Sequence, residues 1–91
     1  MDKFNEDAGL AILSAAQLDS LLQKLLLHAM PPMSNTLATE LFENMGPLAN
    51  FSGKINVARA MGLIDVATRR DLHAIRGLRN LLAHADRPVP V

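Results

Sequence analysis

The sequence predicts an all-α fold, a small antiparallel four-helix bundle in a single domain over residues 1–91, and three observations carry that reading. Apolar residues recur at spacings of three and four, and no stretch keeps the apolar–polar alternation of a strand. Pro31-Pro32, Gly46-Pro47 and Gly62 divide the chain into four segments of helical length. Apolar residues make up 49% of the chain, mostly Leu, Ala, Ile and Met. A domain this small buries only roughly 60–65% of the surface its unfolded chain exposes. That composition exceeds what one copy readily hides, so a homodimer or larger assembly is expected to complete the core.

The first helix is expected from about Glu6 to Ala29. Ala11, Ala15, Leu18, Leu22 and Leu25 form its stripe, widened by Leu21 and Leu26. Pro31 and Pro32 end it, because proline lacks an amide proton and restricts the residue before it. Ser34 or Asn35 caps a second helix reaching about Asn44, with Leu37, Leu41 and Phe42 facing inward. After Gly46-Pro47, Asn50 caps a third helix whose stripe is Phe51, Ile55, Ala58 and Gly62, although Ser52 and Gly53 weaken its start. Gly62-Leu63 reads as a glycine stop with its hydrophobic companion. Asp65 caps the fourth helix, expected to run to about Ala85 before Pro88 and Pro90 forbid continuation.

Composition excludes several classes of function. With no cysteine there is neither a disulfide framework nor a thiolate metal site. His28, His73 and His84 fall at unrelated spacings, so no metal or other cofactor is expected. No glycine-rich phosphate loop and no Gly-x-Ser-x-Gly elbow is present. The only aromatics, Phe4, Phe42 and Phe51, stand at core-like positions, which argues against bases stacked on a platform. Asp2, Glu6 and Asp7 against Lys3 have the wrong sign for a signal peptide. Gln17, Asp19, Gln23, Lys24 and His28 interrupt the apolar stretch from Ala8 to Met30, so the reading is a cytoplasmic protein outside the membrane.

The charges are unevenly spread. Residues 1–45 hold two bases (Lys3, Lys24) and six acids (Asp2, Glu6, Asp7, Asp19, Glu40, Glu43). Residues 46–91 hold seven bases (Lys54, Arg59, Arg69, Arg70, Arg76, Arg79, Arg87) and three acids (Asp65, Asp71, Asp86). A basic half suits nucleic-acid phosphate. It suits equally the acidic half of the same or a neighbouring chain.

The last helix concentrates the candidate site. At 100° per residue, Leu72, Ile75, Leu78 and Leu82 form a core arc, while Arg69, His73, Arg76, Asn80 and His84 form a polar stripe. A helix-turn-helix reading of the third and fourth helices would offer Arg69, Arg70, His73 and Arg76 to DNA. Arg79 breaks the pattern by falling within the core-facing arc. Either its stem packs while its head bonds helix-end carbonyls or a carboxylate, with Glu40, Glu43 and Asp19 as candidates, or it clamps a phosphate at a protomer interface. His84 lies about 140° round from Arg79 on an unbroken helix, so the two meet only across a twofold axis that brings the last helices together.

Two family resemblances rest on these residues. Leu41-Phe42, Gly46-Pro47-Leu48, Phe51-Ser52, Lys54-Ile55 and Gly62-Leu63-Ile64, followed by the helix ending at His84, resemble the mannitol operon repressor family over residues 41–84. That resemblance implies an all-helical, non-enzymatic transcriptional regulator working through protein contacts, with RNA or DNA as a possible but not required partner. Members of that family are longer, with further helices beyond the point where this chain ends. Arg79-Asn80-x-x-x-His84 also resembles the signature of the HEPN ribonucleases. This second resemblance implies a dimeric, metal-independent endoribonuclease. In it His84 would serve as general acid or base on the 2′-hydroxyl, Arg79 would hold the phosphate and Asn80 would orient it.

Overall fold

The computed structural model describes the backbone of residues 3–83 and the side chains of residues 9–83. Four helices follow in order: α1 (Lys3–Ala29), α2 (Asn35–Phe42), α3 (Phe51–Ala60) and α4 (Val66–Ala83). No strand occurs among the described residues, so the all-α bundle is the observed fold. The stop expected at Pro88 and Pro90 and the core position expected for Phe4 lie outside the described residues. α1, α3 and α4 pack against one another in pairs, and short α2 delivers Phe42 to them from its last turn. The longest dimension is 47 Å, set by the 27-residue α1, which at 1.5 Å per residue is about 40 Å long.

The core consists of Ala15, Leu22 and Leu26 from α1, Phe42 from α2, Leu48 from the following loop, and Phe51, Ile55 and Ala58 from α3. α4 buries no residue and lays Leu72 and Ile75 against this cluster. The α1 stripe differs from the expected one. Leu21 is 59% exposed and Leu25 37%, because they point about 120° and 80° away from the mean direction of Ala15, Leu22 and Leu26. α1 therefore carries leucine on two sides, and α3 and α4 cover one of them. Gly9–Ala29 is long and apolar enough to cross a bilayer by length and composition, although Leu22 and Leu26 are committed to the bundle.

Local chemistry explains where the short helices begin and end. Ser34 caps α2, its Oγ accepting from the Leu37 amide at 3.1 Å. The helix ends at Phe42, shorter than expected, as the chain enters a turn in which Asn44 takes the left-handed φ of 57°. Leu37 is 44% exposed rather than inward, leaving Phe42 as the anchor of α2. Gly46 then packs so tightly on α2 that a Cβ would collide with the main-chain carbonyls of Glu40 and Leu41. Past it the Leu48 amide donates to the Leu41 carbonyl at 2.8 Å, and the Leu48 side chain enters the core. The Gly46-Pro47-Leu48 triplet is thus a corner requiring close backbone approach, then a rigid residue, then an anchor.

Asn50 caps α3, with Oδ1 accepting from the Gly53 amide at 2.7 Å. A side chain at Gly53 would come within 2.9 Å of the Pro47 carbonyl, which accounts for a glycine in the first turn. At the other end, Gly62 adopts φ 75°, its amide donates to the Arg59 carbonyl, and the Leu63 amide donates to the Ala58 carbonyl. This is the paired-bond glycine terminus expected from Gly62-Leu63, and partly buried Leu63 packs back on the core. Gly62→Ala should therefore lower stability by about 1 kcal/mol in urea denaturation, since alanine pays the left-handed strain that glycine avoids. An unchanged urea midpoint would show that the turn relaxes.

Candidate functional site

α4 is rotated relative to its expected placement. Leu72, His73, Ile75, Arg76, Arg79 and Leu82 are half-buried, whereas Leu78 is 48% exposed. At 100° per residue, the centre of that packed side runs along Leu72 and Arg79, and Leu78 stands about 120° from Leu72. Arg79 is thus near the middle of the packed side. Its guanidinium carbon lies 6.0 Å from the Phe51 ring centroid, a cation–π distance, and its Nε donates to Asn80 Oδ1 at 3.2 Å.

The carboxylate expected for Arg79 is engaged elsewhere. Lys54 Nζ donates to Asp19 Oδ1 at 2.7 Å and to the Ala49 carbonyl at 3.3 Å, so α3 and α1 are joined by an ion pair beside the core. Lys54 is only 3% exposed. Part of the signal was present in the sequence: Lys54 flanks the Phe51–Ile55–Ala58 arc, and Asp19 flanks the Ala15–Leu22–Leu26 arc. Neither Glu40 nor Glu43 pairs with Arg79 among the described residues.

Arg79 opens instead onto a cleft of about 320 Å³ lined by Asp19, Ser20, Gln23 and Lys24 of α1, Lys54 of α3 and Arg79 itself. Three cations there face one carboxylate, which already accepts from Lys54. Arg79 and Asn80 are brought together, whereas His84, the third residue of the HEPN-like signature, lies outside the described residues.

The polar stripe folds onto α3. Arg69 Nε donates to Asn56 Oδ1 at 3.1 Å, and His73 Nε2 stands 3.1 Å from the same oxygen. This geometry suits a neutral ring protonated at Nε2. His73 Nδ1 and Arg76 Nε are both buried without a protein partner among the described residues. Asn56, which sequence reasoning overlooked, therefore organises Arg69 and His73, with Arg76 alongside. Arg70 stays 77% exposed beside Asp71, at 3.6 Å. Desolvation holds His73 below the ordinary imidazole value, with the charges of Arg69 and Arg76 adding to the effect. At the head of α4, hydrogen bonding from the Thr68 side chain, joined by the Thr68 amide donating to Asp65 Oδ1 at 2.7 Å, keeps the Asp65 carboxyl below the usual range. Among the described residues no group of His, Asp and Glu is placed to hold a metal ion.

Two outcomes follow. Asp19→Ala strands the Lys54 ammonium and should cost about 2–3 kcal/mol, between the values for exposed and fully buried pairs because Asp19 is 24% exposed. Lys54→Met keeps the apolar stem and leaves Asp19 reachable by water, so its cost should be about 1 kcal/mol or less. Urea denaturation of both variants checks the asymmetry, and equal losses would show that the pair does not govern the packing. For His73, an NMR titration should find a midpoint below 6.5, moving upward in Arg69→Gln. Because the folded value is depressed, the stability linked to His73 is present above the ordinary imidazole value and is lost as pH falls through the folded one.

No family model, curated protein or solved structure matches this chain.

Proposed function

We propose that the chain is a non-enzymatic helical regulator of the mannitol operon repressor kind, acting in cytoplasmic transcriptional control through protein contacts as a homodimer. The observation that supports this reading is the leucine side of α1 that the bundle leaves uncovered. Leu10, Leu13, Leu21 and Leu25 are 62%, 55%, 59% and 37% exposed. They lie within about 60° of one line along the helix, opposite Ala15, Leu22 and Leu26. Ser14, Gln17, Lys24 and His28 share that side, so it is a leucine-rich face with polar interruptions, and such a face suits an interaction surface. It is also self-complementary: two α1 helices crossing antiparallel at Gln17 set Leu13 of one copy against the partner's Leu21, and the reverse. The resemblance over residues 41–84 supplies the regulatory role, and its Gly46, Leu48, Phe51, Gly62 and Leu63 occupy structural positions in the corners and core.

A second reading, a dimeric HEPN-type endoribonuclease, is favoured by one observation: Arg79, bonded to Asn80, faces a cationic cleft without a carboxylate of its own among the described residues. The two readings require different interfaces. The regulator pairs through α1, whereas the nuclease needs two α4 helices to bring Arg79 of one copy near His84 of the other.

Sedimentation equilibrium separates them. Leu13→Glu with Leu21→Glu should weaken self-association at least about a hundredfold, the effect of burying unpaired charge. Leu78→Glu with Leu81→Glu should leave it unchanged. The reverse pattern, with RNA cleavage in EDTA that His84→Ala abolishes, would replace the regulator with the nuclease. A monomer that floats with lipid vesicles would assign the α1 face to a membrane and sink both readings.

A further inference from the structure

We infer that the cleft between α1, α3 and α4 is a binding site for a small phosphate monoester. Its walls combine three cations from three helices. Lys24 stands at the rim, Arg79 comes from α4, and Lys54 rises from the floor, nearly fully buried. Lys54 has two acceptors, the Asp19 carboxylate and the Ala49 carbonyl, for its three ammonium protons, so one donor remains uncommitted among the described residues. Arg79 spends its Nε on Asn80 and keeps its guanidinium carbon 6.0 Å from the Phe51 ring centroid, while its terminal nitrogens make no hydrogen bond among the described residues. A guanidinium whose two terminal nitrogens are uncommitted can grip two oxygens of one oxyanion.

Charge balance selects the anion. Three cations against one carboxylate leave a surplus of two positive charges in the cleft. A carboxylate ligand would neutralise half of that surplus. A phosphate monoester carries about −1.5 to −2 at neutral pH and neutralises most of it. A phosphodiester in a nucleic-acid backbone brings one charge per group and matches the cleft less well. The volume of about 320 Å³ is at the small end of ligand sites, and the Ser20 hydroxyl and Gln23 amide add neutral hydrogen-bonding groups for the body of the ester. The site does not depend on the dimer, since one chain supplies all its walls.

Isothermal titration calorimetry and amide chemical-shift mapping on the full chain test the assignment, with inorganic phosphate and glycerol 3-phosphate as probes and acetate as the monoanion control. Saturable binding of both phosphates is expected at about millimolar Kd or tighter, with acetate weaker. Shifts should centre on residues 19–24, 54 and 79. Arg79→Gln and Lys24→Gln, neither of which touches the Lys54–Asp19 pair, should each weaken phosphate binding about tenfold, as for a lost charge-assisted contact. Circular dichroism and urea midpoints of both variants establish that they fold. The assignment is overturned if neither phosphate binds, if acetate binds equally, if both folded variants bind like the parent, or if only a single-stranded oligoribonucleotide binds.

Discussion

The ion pair between Lys54 and Asp19 is the constraint around which the rest of this molecule is arranged. Lys54 falls among the apolar residues of α3, and a buried ammonium is tolerated only with acceptors at hand. Asp19 supplies one at 2.7 Å and the Ala49 carbonyl a second. Satisfying Lys54 ties α3 to the flank of α1, which turns Ala15, Leu22 and Leu26 toward Phe51 and Ile55 and leaves Leu21 and Leu25 outside. It also withdraws Asp19 from Arg79, so the arginine at the centre of α4's packed side meets a cleft instead of a counterion.

α4 occupies an unusual position in such a bundle. It buries nothing completely, and its packed side mixes Leu72 and Ile75 with His73, Arg76 and Arg79. Its attachment relies on apolar contact along one edge and on polar contacts to α3 along the other, where Asn56 receives both Arg69 and His73. Polar groups held against a neighbour at partial burial contribute less than buried leucines, so α4 gains less from its contacts than a helix with fully buried leucines would. The cleft sits where this helix leans on the other two. Ligand charge there would bear on the contact between α4 and the α1–α3 pair.

The helices and their ends were legible because their signals are local. Asn50, Ser34 and Asp65 act as caps, and Gly62 with Leu63 ends α3 as their order implies. The faces were less legible. α1 bears leucine on two sides, and periodicity alone does not say which side meets α3. α4 has its apolar arc displaced toward the arginines, because its packed side is set by contacts with Phe51 and Asn56 rather than by its own hydrophobic pattern. For the site, the anomaly of Arg79 is legible in the sequence, but the fate of its candidate carboxylates is not, because Lys54, 25 residues earlier, takes Asp19. Which of two cations reaches a carboxylate depends on helix rotation, a tertiary quantity that spacing along one helix does not contain.

The same electrostatics bears on how two copies can meet. α4 carries Arg69, Arg76 and Arg79 toward its packed side, whereas its exposed side, with Leu78 and Leu81, holds Arg70 beside Asp71. Turning the Arg79 sides of two copies toward each other would bring like charges together at a cost that grows as water is excluded. A symmetric contact through that side of α4 therefore needs an anion between the copies, and an RNA backbone would supply one. The leucine side of α1 has no such requirement. Near its symmetry point it presents Leu13, Gln17 and Leu21, and its nearest formal charge, Lys24, can extend its ammonium toward water while its stem packs. Self-association without nucleic acid therefore favours α1 over the Arg79 side of α4, and an interface through that side goes together with a bound polyanion. The choice of interface and the choice of function are thus the same physical question, decided by whether arginine-rich surfaces are brought together or kept apart.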